Sequence, residues 1–182
     1  MRPIKRPPGS RRRRGAEIME FTLSFLPFVV MLFMLLDVAW AVFVKSTLQY
    51  AVRAGVRSGI TITGTQASAA SSNLTAMVKS IVQSKALGIL SGSSGLAKIK
   101  VRYYQPPSEG STAAIVDVSS QSNGNSYPNI MQVSIEGYTL PALVPRIFGW
   151  KQPIDNAGTP IGAVAADIIE PSSDVPPIGS AP

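Results

Sequence analysis

The 182-residue chain contains no cysteine and no histidine. Disulfides, thiolate and imidazole metal sites, and every catalytic triad built on Cys or His are thereby excluded. Charge is scarce as well. Charged residues make up 15% of the chain, against about 25% in an average soluble domain. Acidic residues are missing altogether from the first 14 positions, which hold seven of the 17 basic ones: Arg2, Lys5, Arg6, Arg11, Arg12, Arg13 and Arg14. From Gly15 to Pro182 acids and bases balance, so the net charge of +7 belongs to a tail. A nucleic-acid partner would need a basic face on the folded part, which is absent. No phosphate-binding loop is visible either, because Ser91-Gly92-Ser93-Ser94-Gly95 lacks the lysine such a loop needs. With no nucleophile–base pair, metal cluster or cofactor motif, the chain is expected not to be an enzyme and to carry no cofactor.

The basic tail precedes a long apolar run. Residues 21–44, from Phe21 to Val44, contain a single ionisable group, Asp37. As a helix they would measure about 36 Å, enough to cross a hydrocarbon core of about 30 Å. Their apolar side chains lie all round the helix, as lipid requires. Positive charge in front of the span keeps residues 1–14 in the cytoplasm and places the residues after Lys45 outside. A cleaved secretory signal competes with this reading through Ala39-Trp40-Ala41. The run before it, however, exceeds the usual apolar core of about 7–15 residues, and the sequence after it stays apolar.

Beyond the span, Leu48, Ala51, Val52, Gly55, Val56 and Gly59 recur at helical spacing, and Arg53 and Arg57 stand together on another side. One helix is expected from about Glu17 to about Ile60, ended by Gly64. Its small residues would let another element approach closely. Residues 65–73 read as a linker. Leu74, Met77, Val78, Ile81 and Val82 form the stripe of a second helix, capped by Ser72 or Asn73. Residues 91–95 read as a loop. Strict alternation marks strands at 98–104 and 130–139, with others at 115–118 and 161–169. Residues 171–182 hold four prolines and no apolar period, which reads as a disordered end. A long helix, a second helix and then strands in succession argue an α+β fold with an antiparallel sheet of about four strands.

The octet Arg14-Gly15-Ala16-Glu17-Ile18-Met19-Glu20-Phe21 carries the most information. A glycine on the cytoplasmic side of the run, a glutamate five residues later and then an aromatic resemble the prepilin peptidase site of type IV pilin-like proteins. With Pro27, Asp37 and the stretch Leu48 to Arg57, residues 14–60 resemble the TadE-like pseudopilins of tight-adherence (Tad/Flp) pilus systems. The resemblance implies cleavage between Gly15 and Ala16, with Glu20 and Phe21 as assembly residues. It implies a pilin-like layout: a basic leader at 1–15, a transmembrane helix at 16–45, an extracytoplasmic α+β domain at 46–170 and a tail at 171–182. The implied function is that of a minor pilin or pseudopilin in the inner membrane. The implied partners are the prepilin peptidase, the major Flp-type pilin and other pseudopilins, the assembly platform and the lipid bilayer.

Plainer readings stand beside these. Gly15 serves equally as a flexible join, and Glu20 as a first-turn acid that suits the helix dipole. Asp37 either snorkels to water or pairs with another subunit. Arg53 and Arg57 suit a solvated face or anionic lipid as well as a contact of the post-membrane helix. The chain as a whole could also be an uncleaved single-pass envelope protein.

Overall fold

The computed structural model describes residues 10–108, 110–111, 113–143 and 158–179, with side chains from Gly15 onward. Helix α1 runs from Ser10 to Gly59, with Pro27 inside it. Its character changes at Val44. From Gly15 to Phe43 no side chain is buried. From Val44 onward the buried positions are 44, 47, 48, 51, 52, 55, 56 and 59, a one-sided stripe at steps of three and one. The first part is apolar on every side and largely exposed, whereas the second has an inside and an outside.

The chain divides into two compact units. One holds α1 up to Trp40 together with the described residues Ala142 and Leu143. The other begins at Ala41 and holds the rest of α1, all the strands and the C-terminal segment. It contains α2 (Gly64–Ala69), α3 (Leu74–Lys85), α4 (Gly92–Ala97), β1 (Ile99–Gln105), β2 (Val116–Asp117), β3 (Ile130–Leu140) and β4 (Thr159–Ile168). The strands form one antiparallel sheet in the order β2-β1-β3-β4. The α+β class and the sheet expected from the sequence are thus what the chain adopts.

Alternation decides which face of the sheet is covered. Ile99, Val101 and Tyr103 of β1, Met131, Val133 and Ile135 of β3, and Ile161 and Ala163 of β4 are buried. They build the core with the stripe of α1 and with Leu74, Val78 and Val82 of α3. Burial pushes the Tyr103 hydroxyl up to about 12, while the neighbouring Thr75 hydroxyl pulls the other way. On the opposite face Arg102 donates to both carboxylate oxygens of Glu136, at 2.6 and 3.2 Å. The Arg102 hydrogen bond, then that from Ser134, holds the Glu136 carboxyl below its usual value. This pair is solvated and contributes at most about 1 kcal/mol.

Several sequence expectations are corrected. Residues 65–73 are not simply a linker: α2 forms there and opens with Gly64, while α1 ends at Gly59, beside the expected Ile60. Thr63 caps α2 reciprocally. Its hydroxyl accepts from Gln66 N at 3.3 Å, and its own N–H donates to Gln66 Oε1 at 3.1 Å. The loop expected at 91–95 is largely α4. Both helices are six residues long, too short to show a period. The stretch Pro141 to Trp150, which reads in sequence as an apolar connection, lies outside the described residues from Val144 onward.

The disordered end is the largest correction. Residues 171–179 are placed by hydrogen bonds, and Ile178 is buried; residues 180–182 lie outside the described residues. Leu74 N donates to Pro177 O at 2.9 Å, and Thr75 N to Ile178 O at 3.2 Å. Asn125 Nδ2 donates to Pro176 O at 2.6 Å. At α2, Gly64 N donates to Asp174 O at 3.0 Å, and Thr65 gives both its N–H and its hydroxyl to Asp174 Oδ2, at 2.8 and 2.7 Å. The physical reason is complementary need. The first turn of a helix has N–H groups without partners, and a proline-rich segment offers carbonyls while having few N–H groups of its own to satisfy.

This clasp predicts an acid sensitivity. The Thr65 hydroxyl, and next the Thr65 N–H, hold the Asp174 carboxyl below its usual value. A group whose folded pKa is depressed stabilises above its unfolded value, about 3.9 for Asp, and that contribution disappears as pH falls through the lower folded value. Wild type should therefore melt above Asp174→Asn at neutral pH, and the gap should narrow and then close as pH falls below the unfolded value and through the lower folded one. A gap independent of pH would show that the carboxylate charge plays no part.

Candidate functional site

The candidate residues lie on α1, and the helix distributes them rather than gathering them. Gly15, Ala16, Glu20 and Phe21 are exposed on its N-terminal turns. A Cβ built on Gly15 would meet nothing within 4 Å, so no packing explains why glycine stands there. Ala16 and Glu20 are four residues apart and share one face of the helix. Phe21 stacks on Phe25 with ring centroids 5.5 Å apart, and Phe25 meets Phe28 at 6.4 Å. The three rings make an aromatic strip directly after Glu20.

Asp37 has a partner within the chain. Its Oδ1 accepts the Leu143 N–H at 2.8 Å, and the residue is half-buried. The one ionisable group of the apolar run is thus held by a backbone donor 106 residues away in sequence. A carboxylate at the edge of an apolar span needs such a donor. A local sequence pattern could not reveal one so distant.

Arg53 and Arg57 lie on the exposed side of α1. With Gln49 and residues Val164 to Asp167 of β4 they line an open cleft of about 390 Å³. Gln49 Nε2 donates to Val164 O at 3.0 Å and ties the helix to that strand. Among the described residues the one ion pair within 4 Å is Arg102–Glu136, so neither arginine of the cleft is neutralised at that range. These arginines belong to the unit that begins at Ala41, and Gly15 and Glu20 to the other.

No group of three or more His, Cys, Asp or Glu among the described residues could hold a metal ion. What the fold displays instead is an apolar helix surface. The helix Gly15–Gly59 is long and apolar enough to cross a membrane, and its most apolar stretch is almost wholly unburied. Such a surface has no stable place in water.

These features define a membrane-anchored, single-pass α+β protein. Within that class, residues 15–57 match the sequence model of the family described as TadE-like protein. The match covers α1 from Gly15 to Arg57 and ends before α2. No curated protein and no solved structure matches the chain.

Proposed function

We propose that the chain is a minor pilin or pseudopilin of a tight-adherence (Flp-type) pilus or a related secretion apparatus. The family match over residues 15–57 carries this reading, and the exposed apolar surface of α1 between Gly15 and Phe43 supports it. In this reading the basic segment stays in the cytoplasm and the sheet unit faces outward from the inner membrane. The prepilin peptidase cuts between Gly15 and Ala16. The apolar helix then moves laterally from lipid into a bundle with the major pilin and other pseudopilins, guided by the assembly platform. The role is structural rather than catalytic. N-terminal sequencing of the membrane-bound protein tests it. Ala16 as first residue supports processing. Met1 leaves an uncleaved envelope protein, and Val42 a product of signal peptidase.

Glu20 supplies a second test. Cleavage would leave a free amine on Ala16 at the head of an apolar helix, and inside a bundle that charge needs a counter-charge. A neighbouring helix displaced along the axis presents its amine to Glu20 and so sets the register between subunits. Glu20→Ala is expected to insert and be cleaved normally but to lose incorporation into pili, with Glu20→Asp intermediate. If Glu20 only favours the helix dipole, its removal costs about 0.3–1 kcal/mol and leaves assembly intact. Normal pilus assembly by Glu20→Ala would therefore remove the register role.

A further inference from the structure

Leu87 is an exposed apolar residue in an unfavourable backbone conformation. Its φ is +49° and its side chain is 71% exposed. It follows Ala86, the C-cap of α3, and precedes Gly88, which also has positive φ. A helix end of this shape takes glycine or asparagine without strain, whereas a leucine there is uncommon. Neither burial nor backbone preference accounts for this side chain within the sheet unit.

Its surroundings are informative. Leu87 lines an open cleft of about 510 Å³ with Ser84, Lys85, Ser46, Thr47 and Tyr50. Tyr50 is itself 61% exposed. Lys45 is the first charge after the apolar run that ends at Val44. Ser46 to Tyr50 therefore lie about 1.5–7.5 Å beyond that lysine along the helix axis. The polar layer on each side of a hydrocarbon core is about 5–7 Å thick. The cleft thus sits at headgroup depth whenever α1 spans a bilayer. A tyrosine, two lysines and a protruding leucine are the side chains that this layer accommodates: tyrosine at its level, lysine on phosphates and leucine at the acyl boundary.

We propose that the turn after α3, Lys85 to Gly88, is a second membrane contact. Leu87 enters the boundary between headgroups and acyl chains beside Tyr50, while Lys85 and Lys45 engage the phosphates of an anionic lipid surface. The contact holds the sheet unit at the bilayer at a point other than α1. It rests on α1 crossing a membrane and is independent of the pilus assignment.

The absence of cysteine makes the test direct, because one introduced thiol takes one label. Full-length chains carrying Ser84→Cys, Leu32→Cys or Ser120→Cys are labelled with an environment-sensitive fluorophore. They are reconstituted into phosphatidylcholine–phosphatidylglycerol vesicles containing lipids with a shallow or a deep nitroxide quencher. Ser84 adjoins the turn and leaves Leu87 native. Leu32 lies within the apolar run. Ser120 lies beside β2, which pairs with the end of β1 opposite the edge of the sheet near Lys45. The label at 84 is expected to be quenched several-fold more strongly by the shallow lipid than the label at 120. Leu87→Asp or Lys85→Glu should abolish that difference without changing the deep quenching at 32. Equal quenching at 84 and 120, with 32 still quenched, overturns the proposed contact alone. Loss of quenching at 32 overturns the spanning helix and the contact with it.

Discussion

A Gly15→Leu chain is expected to insert and fold like wild type and to remain at full length. The first half of this expectation rests on local structure. Gly15 sits inside α1, and a Cβ there meets nothing within 4 Å. In a helix interior leucine is favoured over glycine by nearly 1 kcal/mol, so the substitution strengthens the segment if it changes it at all. Glycine at an exposed helical position is therefore a local disadvantage retained for another reason. The second half rests on the proposed chemistry. A peptidase acting at the membrane face must bring its groups close to the Gly15–Ala16 peptide, and a glycine lets the backbone approach closely. A steric conflict of about 3 kcal/mol in that complex lowers the rate of cleavage by more than a hundredfold. In cells containing the peptidase, immunoblots of membranes should show only the longer species, and Gly15→Ala should be cut at an intermediate rate. Mature-sized Gly15→Leu protein would show that the scissile bond is elsewhere.

The parts of the fold that were legible from the sequence are those in which a single period governs burial. Leu48, Ala51, Val52, Gly55, Val56 and Gly59 stand on one stripe by spacing alone, and all six are buried. Ile99, Val101 and Tyr103 alternate with Lys100, Arg102 and Tyr104, and burial follows that alternation. What escaped depends on partners distant in the chain. Residues 171–179 lack a period because their function in the fold is to offer carbonyls to the N-terminal turns of α2 and α3. Their proline content, read as disorder, is a consequence of that arrangement. The site divides in the same way. Gly15 and Glu20 were singled out from local spacing alone, on which the proposed processing site rests. The engagement of Asp37 by Leu143 was not, because it depends on where a remote segment returns.

Gly55 is the position at which this packing is most exposed to disruption, and Gly55→Leu is expected to prevent α3 from docking on α1. A Cβ at Gly55 would fall on a methyl group of Val82, with Val78 Cγ1 3.7 Å away. Val82 is fully buried, and a β-branched residue in a helix has essentially one χ1 available. The conflict therefore cannot be relieved by rotating a side chain; the helices must separate. Gly59 is a second close approach to α3. A Cβ there meets Met131 Sδ at 2.7 Å and Val78 Cγ2 at 2.8 Å, and a methionine is flexible enough to yield part of that space. Overpacking a core costs about 1–3 kcal/mol, against the gain of nearly 1 kcal/mol when glycine becomes alanine in a helix. Gly55→Ala should thus lose up to about 2 kcal/mol net, and Gly59→Ala, whose Cβ also meets the buried Val78 of α3, should be destabilised as well. Gly55→Leu should exceed about 4 kcal/mol, the range reserved for severe core disruption. Denaturation of the full chain in detergent, followed by circular dichroism, measures all three. The decisive comparison is the pair Gly55→Ala with Val82→Ala. Removing the valine methyls makes room for the new Cβ, so the double variant should be at least about 1 kcal/mol more stable than the sum of the single losses predicts. Strict additivity, or a Gly55→Ala protein as stable as wild type, would mean that α1 and α3 do not meet through this glycine.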